Sequence, residues 1–200
     1  MEYVYDVDQI SADKLKSSIY FAVINYEKNT DKLKQIPHKR VLDLALIYVS
    51  RMKCNGKSVV RELDKDTLDR LEVSEEKLES IAMKNAKVKD EIVIRKMSDL
   101  IDCCGREDFP MKVITNNAGV FGASYSFTKE GAKHLSDYFG EDMFIIPSSV
   151  HELIAVPYCD GEQARYNEII RHVNKTELAE GEFLSDHVYV LDHKEKTIRM

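Results

Sequence analysis

Cysteine is scarce in this 200-residue chain: Cys54, Cys103, Cys104 and Cys159 are all there is, and no two are spaced Cys-x-x-Cys. Its absence argues against a zinc ribbon or a thioredoxin-type motif. The neighbours Cys103 and Cys104 could oxidise as a vicinal pair, but two reduced thiols are expected in a reducing cytoplasm. Long apolar runs are also missing, and none approaches the roughly 20 residues of a membrane span. The opening Met-Glu-Tyr-Val-Tyr-Asp is acidic and lacks the charged-then-apolar pattern of a signal peptide. The cytoplasm is therefore the expected location, with no membrane association. There is no dense basic tract, and 29 Lys and Arg against 35 Asp and Glu leave a net charge of −6. Nucleic acid is not expected as the main partner, although a local basic patch stays open.

Several catalytic signatures are absent as well. No Gly-x-Ser-x-Gly elbow and no His-Glu-x-x-His appears. Residues 117–122, Asn-Ala-Gly-Val-Phe-Gly, lack the Gly-Lys-Ser/Thr of a phosphate loop, and their two glycines fit a turn and a bulge better. There is no internal repeat and no low-complexity segment. No cofactor is expected.

What is present is a composition of 44% hydrophobic and 32% charged residues, enough to bury a substantial core. The densest chemistry lies in residues 144–157, where Ser148, Ser149, His151 and Glu152 stand between two short apolar runs. Pro147 and Pro157 end those runs, so the stretch reads as strand, turn, strand. In a competing reading Ser149-x-x-Glu152 is a capping box, but Pro157 would cut that helix after about two turns. Along a regular strand Ser149 and His151 share one face and Ser148 and Glu152 the other. His151 and Glu152 then pair only through a bulge, or each partners residues from elsewhere.

The remaining chain alternates helices and strands. Residues 11–26 read as a helix, with Leu15, Ile19, Ala22 and Val23 at helical spacing and Ser11 or Asp13 as cap. Residues 31–35 add a turn of helix. Residues 41–53 and 57–62 read as strands joined at Asn55-Gly56, a strong hairpin signal. Asp43 sits inside the first of them and is expected to face an edge or be hydrogen-bonded, because a lone buried carboxylate is costly. Helices follow at 66–71 and 75–87, the second capped by Ser74, with Asn85 on its core face expected to bond a loop backbone. Residues 91–96 read as a strand, 97–103 as a short helix and 105–110 as a polar linker. A hairpin is expected from strands 111–115 and 122–127 around Asn116-Asn117-Ala118-Gly119. Thr128 caps a helix to 139. Strands at 143–146 and 152–156 come next, then a helix from Asp160 to near Asn174. A strand at 187–191 turns back through 193–196 into 197–200. Together these make a single α+β domain, an antiparallel or mixed sheet with helices packed on one side. It has a helical and hairpin N-terminal part, 1–105, and a sheet-rich C-terminal part, 111–200.

Several runs form a recognisable series. They include Ile36-Pro37-His38-Lys39, Leu42-Asp43-Leu44-Ala45 and Ile114-Thr115-Asn116-Asn117 with Gly122-Ala123. Val73-Ser74-Glu75-Glu76-Lys77-Leu78, with Ala82 and Asn85, also belongs. The most specific are Ile146-Pro147-Ser148-Ser149-Val150-His151-Glu152, Val173-Asn174-Lys175-Thr176-Glu177 and Leu184-Ser185-Asp186-His187-Val188-Tyr189. In this order, over residues 15–192, the chain resembles a bacterial family of unknown function, domain of unknown function family 5688. Members of that family usually carry a further N-terminal segment, so the resemblance implies a short or truncated member. Asp192-His193 stands where the family has Asp-Arg. The resemblance implies fold organisation and a choice of site residues, and supplies no mechanism.

The candidate catalytic residues are His151, Glu152, Ser148, Ser149 and Asp186. Nucleophile, base and orienter must lie within hydrogen-bond reach. The plainer alternative is that the serines satisfy turn backbone groups while His151 anchors a loop. His151, Glu152, Asp186 and His187 suit a metal chemically, but their spacing is wrong, and no metal is expected. Asn116, Asn117, Asn174 and Ser185 are candidate ligand-binding residues if their polar turns meet at the 147–152 corner; otherwise they are turn and helix-end chemistry. The sequence reading is thus an uncharacterised cytoplasmic module that binds a protein or small molecule without catalysis. The alternative is a small hydrolase centred on His151 and Glu152.

Overall fold

The structure, a computed structural model, describes residues 10–54, 57–100, 110–179 and 181–200. Ile19–Asn25 (β1), His38–Val41 (β2), Leu44–Cys54 (β3) and Lys57–Glu62 (β4) form one antiparallel sheet around the long β3. β1 lines one edge of β3; β2 and β4 share the other, opposite residues 44–47 and 49–54. The second sheet is also antiparallel throughout. Its strands are Ile92–Lys96 (β5), Lys112–Asn116 (β6), Met143–Pro147 (β7), Leu153–Pro157 (β8), Tyr189–Asp192 (β9) and Thr197–Arg199 (β10). They lie in the order β10-β9-β7-β8-β6-β5. The helices are Ala12–Lys16 (α1), Thr30–Leu33 (α2), Lys65–Leu71 (α3), Glu75–Lys89 (α4), Lys129–Phe139 (α5) and Gln163–Thr176 (α6). The chain is α+β. Among the described residues no helix is long and apolar enough to cross a membrane.

The period of two explains why the runs around the corner are continuously apolar. Met143, Ile145, Leu153 and Ala155 face the main core, together with Tyr189 and Leu191 of β9. Phe144 and Val156, with Val190, face the opposite way, onto Ile170 of α6. A strand covered on both faces loses its polar alternation. The main core joins both sheets: Phe21, Val23 and Leu46 of the first pack with Ile114, Ile145 and Leu153 of the second.

The helix starts follow their caps. Ser74 accepts from the Lys77 N–H at 3.3 Å and Thr128 from the Gly131 N–H at 3.0 Å. Asn85 fills the role its position implies, donating to the carbonyls of Lys16 (2.8 Å) and Ile19 (2.9 Å).

Three segments depart from the sequence reading. The helix expected over 11–26 is only α1, and from Ile19 the chain is β1. All seven β1 positions are buried, so the apolar run reflects two covered faces rather than one helical stripe, and its β-branched and aromatic residues favour the strand. The strand expected over 41–53 begins earlier, at β2, and reverses at Leu42-Asp43, with Leu42 in the left-handed region at φ 57°. The expected hairpin of 111–115 with 122–127 does not form: β6 pairs with β5 and β8, and Ser124–Phe127 is a 3-10 turn. Strands β3 and β4 do pair as the Asn55-Gly56 signal implied, with Cys54 opposite Lys57, while the tip itself lies outside the described residues. So do Cys103, Cys104, residues 101–103 of the expected 97–103 helix, which opens as a 3-10 turn at Met97–Asp99, and the 105–109 part of the linker.

Candidate functional site

Pro147 closes β7 and Leu153 opens β8, so residues 148–152 form the turn between them. The Ser149 N–H donates to the Glu152 carbonyl (3.1 Å), and the Ser149 hydroxyl accepts from the His151 N–H (3.0 Å). Strand alternation therefore does not govern these side chains, and Ser149 is used by the turn itself.

Two other segments close on the corner. Thr115, near the end of β6, donates its hydroxyl to the His151 carbonyl at 3.0 Å, and the Phe121 N–H donates to His151 Nδ1 at 3.0 Å. The Val150 N–H donates to the Glu182 carbonyl at 3.1 Å, and a Glu182 carboxylate oxygen lies 3.7 Å from His151 Nε2. Because Nδ1 accepts, the neutral ring carries its proton on Nε2, facing Glu182. The imidazole also sits 5.6 Å from the Phe121 ring, centroid to centroid. Gly122 makes this approach possible: a Cβ there would meet Thr115 Oγ1, the His151 carbonyl and the Asn116 nitrogen. It is a close-contact glycine, not the bulge expected from sequence, whereas Gly119, at φ 64°, is the turn glycine.

The other candidate residues divide among three places. Ser148 lies beside Glu152, with its hydroxyl 3.5 Å from the carboxylate. Asp186 is not beside His151 in any hydrogen bond; it accepts from the Asn174 amide at 2.9 Å, and the same amide reaches the Ser185 carbonyl at 3.0 Å. Ser185 is wholly buried, accepts from the His187 N–H (3.1 Å) and donates to Asp43 (2.6 Å). Asn116 is buried, and its carbonyl oxygen accepts from the N–H groups of Ala118 and Val120. Asn117 is exposed on that turn. Among the described residues no group of three or more His, Cys, Asp or Glu could hold a metal ion.

Two polar centres were not legible in the sequence. In the first, the Arg51 guanidinium pairs with Asp90 at 2.7 Å and reaches the Val120 carbonyl at 3.1 Å, while the Asn116 amide bonds Asp90 at 3.0 Å. Burial raises the Asp90 carboxyl above the ordinary carboxylate range, and Arg51 and Asn116 offset this only in part. This pair holds the loop whose Phe121 N–H meets His151. In the second, Asp43 accepts from the Tyr189 hydroxyl (2.7 Å) as well as from Ser185. Burial pushes the Tyr189 hydroxyl upward, and the neighbouring Asp43 charge adds to it, so the phenol stays a donor. Asp43 and the 184–189 run were each notable in the sequence, but no local spacing links residues 146 positions apart.

Next to the corner lies a groove of about 180 Å3 between α6 and the outer face of the second sheet. Ile146 and Ile154 of the sheet and Ile169, Ile170 and Val173 of α6 line it, and Ser148 and Asn174 stand at its polar end. Two of the sequence candidates thus line the same groove.

No curated protein and no solved structure matches the chain. The sequence model of one family does, over residues 3–193, nearly the whole length, and that family is described only as a family of unknown function. The order of motifs and the family match agree: the chain belongs to the family of unknown function DUF5688.

Proposed function

We propose that this protein is a non-catalytic binding module, a single cytoplasmic domain whose binding face is the apolar groove between α6 and the second sheet. The observation that carries the reading is how His151 is used. Its Nδ1 accepts a backbone N–H and its Nε2 faces a carboxylate, so neither nitrogen is hydrogen-bonded to a serine hydroxyl. Ser149 is engaged with the turn backbone, and Ser148 leans towards Glu152. A nucleophile needs its base within hydrogen-bond reach, and the corner instead supports a role as a joint between three segments. The groove beside it presents apolar side chains to solvent, with Ile169 47% and Val173 41% exposed. Exposed apolar surface rimmed by polar groups is what an interaction site requires. The exposed free thiol of Cys159 fits a reducing compartment.

The test is hydrolysis of a panel of p-nitrophenyl esters and phosphates by the protein and by His151→Ala. The expected result is no turnover that depends on His151. Turnover lost in His151→Ala, with its fold intact by circular dichroism, would favour the hydrolase alternative.

A further inference from the structure

We infer that the groove takes one apolar side chain of a partner protein segment, leucine-like or aromatic, flanked in that segment by lysine or arginine. The inference rests on the groove being the binding face, and it names what binds there. Size sets the first half. A cavity of ~150 Å3 lined by aliphatic and aromatic groups accepts benzene, and the groove here is about 180 Å3. It falls below the ~300 Å3 at which sites for drug-sized ligands begin, so it suits a single side chain rather than a nucleotide or a larger cofactor. Buried Ile170 forms the floor, and Ile169 and Val173, four residues apart on α6, form an exposed lip.

Charge sets the second half. At the corner end, the lining residue Ser148 has the Glu152 carboxylate 3.5 Å away, and the lining residue Asn174 holds Asp186 at 2.9 Å. Among the described residues neither carboxylate is in an ion pair. Asn174 spends both amide protons on Ser185 and Asp186, which fixes the Asp186 side chain beside the groove. The groove is thus acidic at its corner end. Farther along the same sheet face, Arg95 of β5 stands across from Val113, which stands across from the lining residue Ile154. A cation beside the anchor would settle at the corner end, and an acidic neighbour there would be repelled.

The experiment follows the isoleucine methyl signals of the labelled protein during titration with three capped tripeptides: lysyl-leucyl-lysine, glutaminyl-leucyl-glutamine and glutamyl-leucyl-glutamate. The expected result is shifts at Ile146, Ile154 and Ile169. Apparent affinity should be several-fold greater for the lysyl peptide than the glutaminyl one, and least for the glutamyl one. The Glu152→Gln/Asp186→Asn double variant, which removes both charges and keeps one acceptor oxygen on each side chain for Ser148 and Asn174, should level the three. Val173→Asp, at an exposed position, should abolish all three titrations without unfolding the protein. Equal binding of the three peptides by the wild-type protein overturns the charge assignment and leaves the groove as binding face. No methyl shift with any of them overturns both. Methyl shifts that track protein concentration alone, with a dimer mass in sedimentation, assign the groove to a second copy of the chain and overturn the peptide assignment.

Discussion

At the scale of single residues, several polar side chains are committed to fixed partners, and removing one leaves the other stranded. Tyr189→Phe deletes the donor to Asp43 Oδ1 and nothing else in the ring's packing. Asp43 is half-buried and keeps its Ser185 donor, so the expected loss is about 1.5–3 kcal/mol, the worth of one hydrogen bond to a charged group, read by urea denaturation. Gly122→Ala places a methyl against the His151 carbonyl and the β6 backbone, where no flexible side-chain end can yield. It should cost about 1–3 kcal/mol by overpacking, with NMR shift changes reaching His151. Asp90 adds a pH dependence of known sign. Its folded-state pKa is raised, so the folded protein holds that proton more tightly than the unfolded chain. Its contribution is fully present below the unfolded value and is lost as pH rises through the folded value. The stability difference between wild type and Asp90→Asn should therefore shrink as pH rises from the ordinary carboxylate range through that window. A flat difference across pH would show that burial does not set the Asp90 proton affinity.

At the scale of elements, what is local was legible. α4 and α5 announce themselves through Ser74 and Thr128, and their caps form; Thr128→Ala should cost about 1 kcal/mol in thermal unfolding. The strand–turn–strand at the corner follows from two prolines bounding two apolar runs. What failed was pattern without context. Leu15, Ile19, Ala22 and Val23 fit a helical stripe, yet Ile19–Asn25 is a strand buried at every position, and a run buried on all sides carries no periodicity that separates strand from helix. The 122–127 run has alternating apolar residues, but Phe121 before it stands in the left-handed region at φ 52° and Ser124–Phe127 closes as a 3-10 turn. Asp43 could be recognised as needing a partner. That the partners are Ser185 and Tyr189 depends on the two sheets meeting, a non-local fact.

At the scale of the whole molecule, the polar centres act as staples between distant parts of the chain. Arg51–Asp90–Asn116 ties β3 and the end of α4 to the loop after β6. That loop and the 182–188 segment then clasp the 147–152 corner through His151 and Val150. Arg51→Ala would leave the buried Asp90 carboxylate with the Asn116 amide but no countercharge, and should cost about 3–5 kcal/mol. On the proposed reading, the most reactive-looking residues hold the fold together and binding falls to the groove beside them. The measurement that bears on this most directly is equilibrium denaturation of His151→Ala. Losing the acceptor for the Phe121 N–H should lower stability by about 1–3 kcal/mol, and the proposed reading expects no hydrolysis that depends on His151. Unchanged stability together with loss of an ester- or phosphate-hydrolysing activity would contradict it and make the corner a catalytic centre.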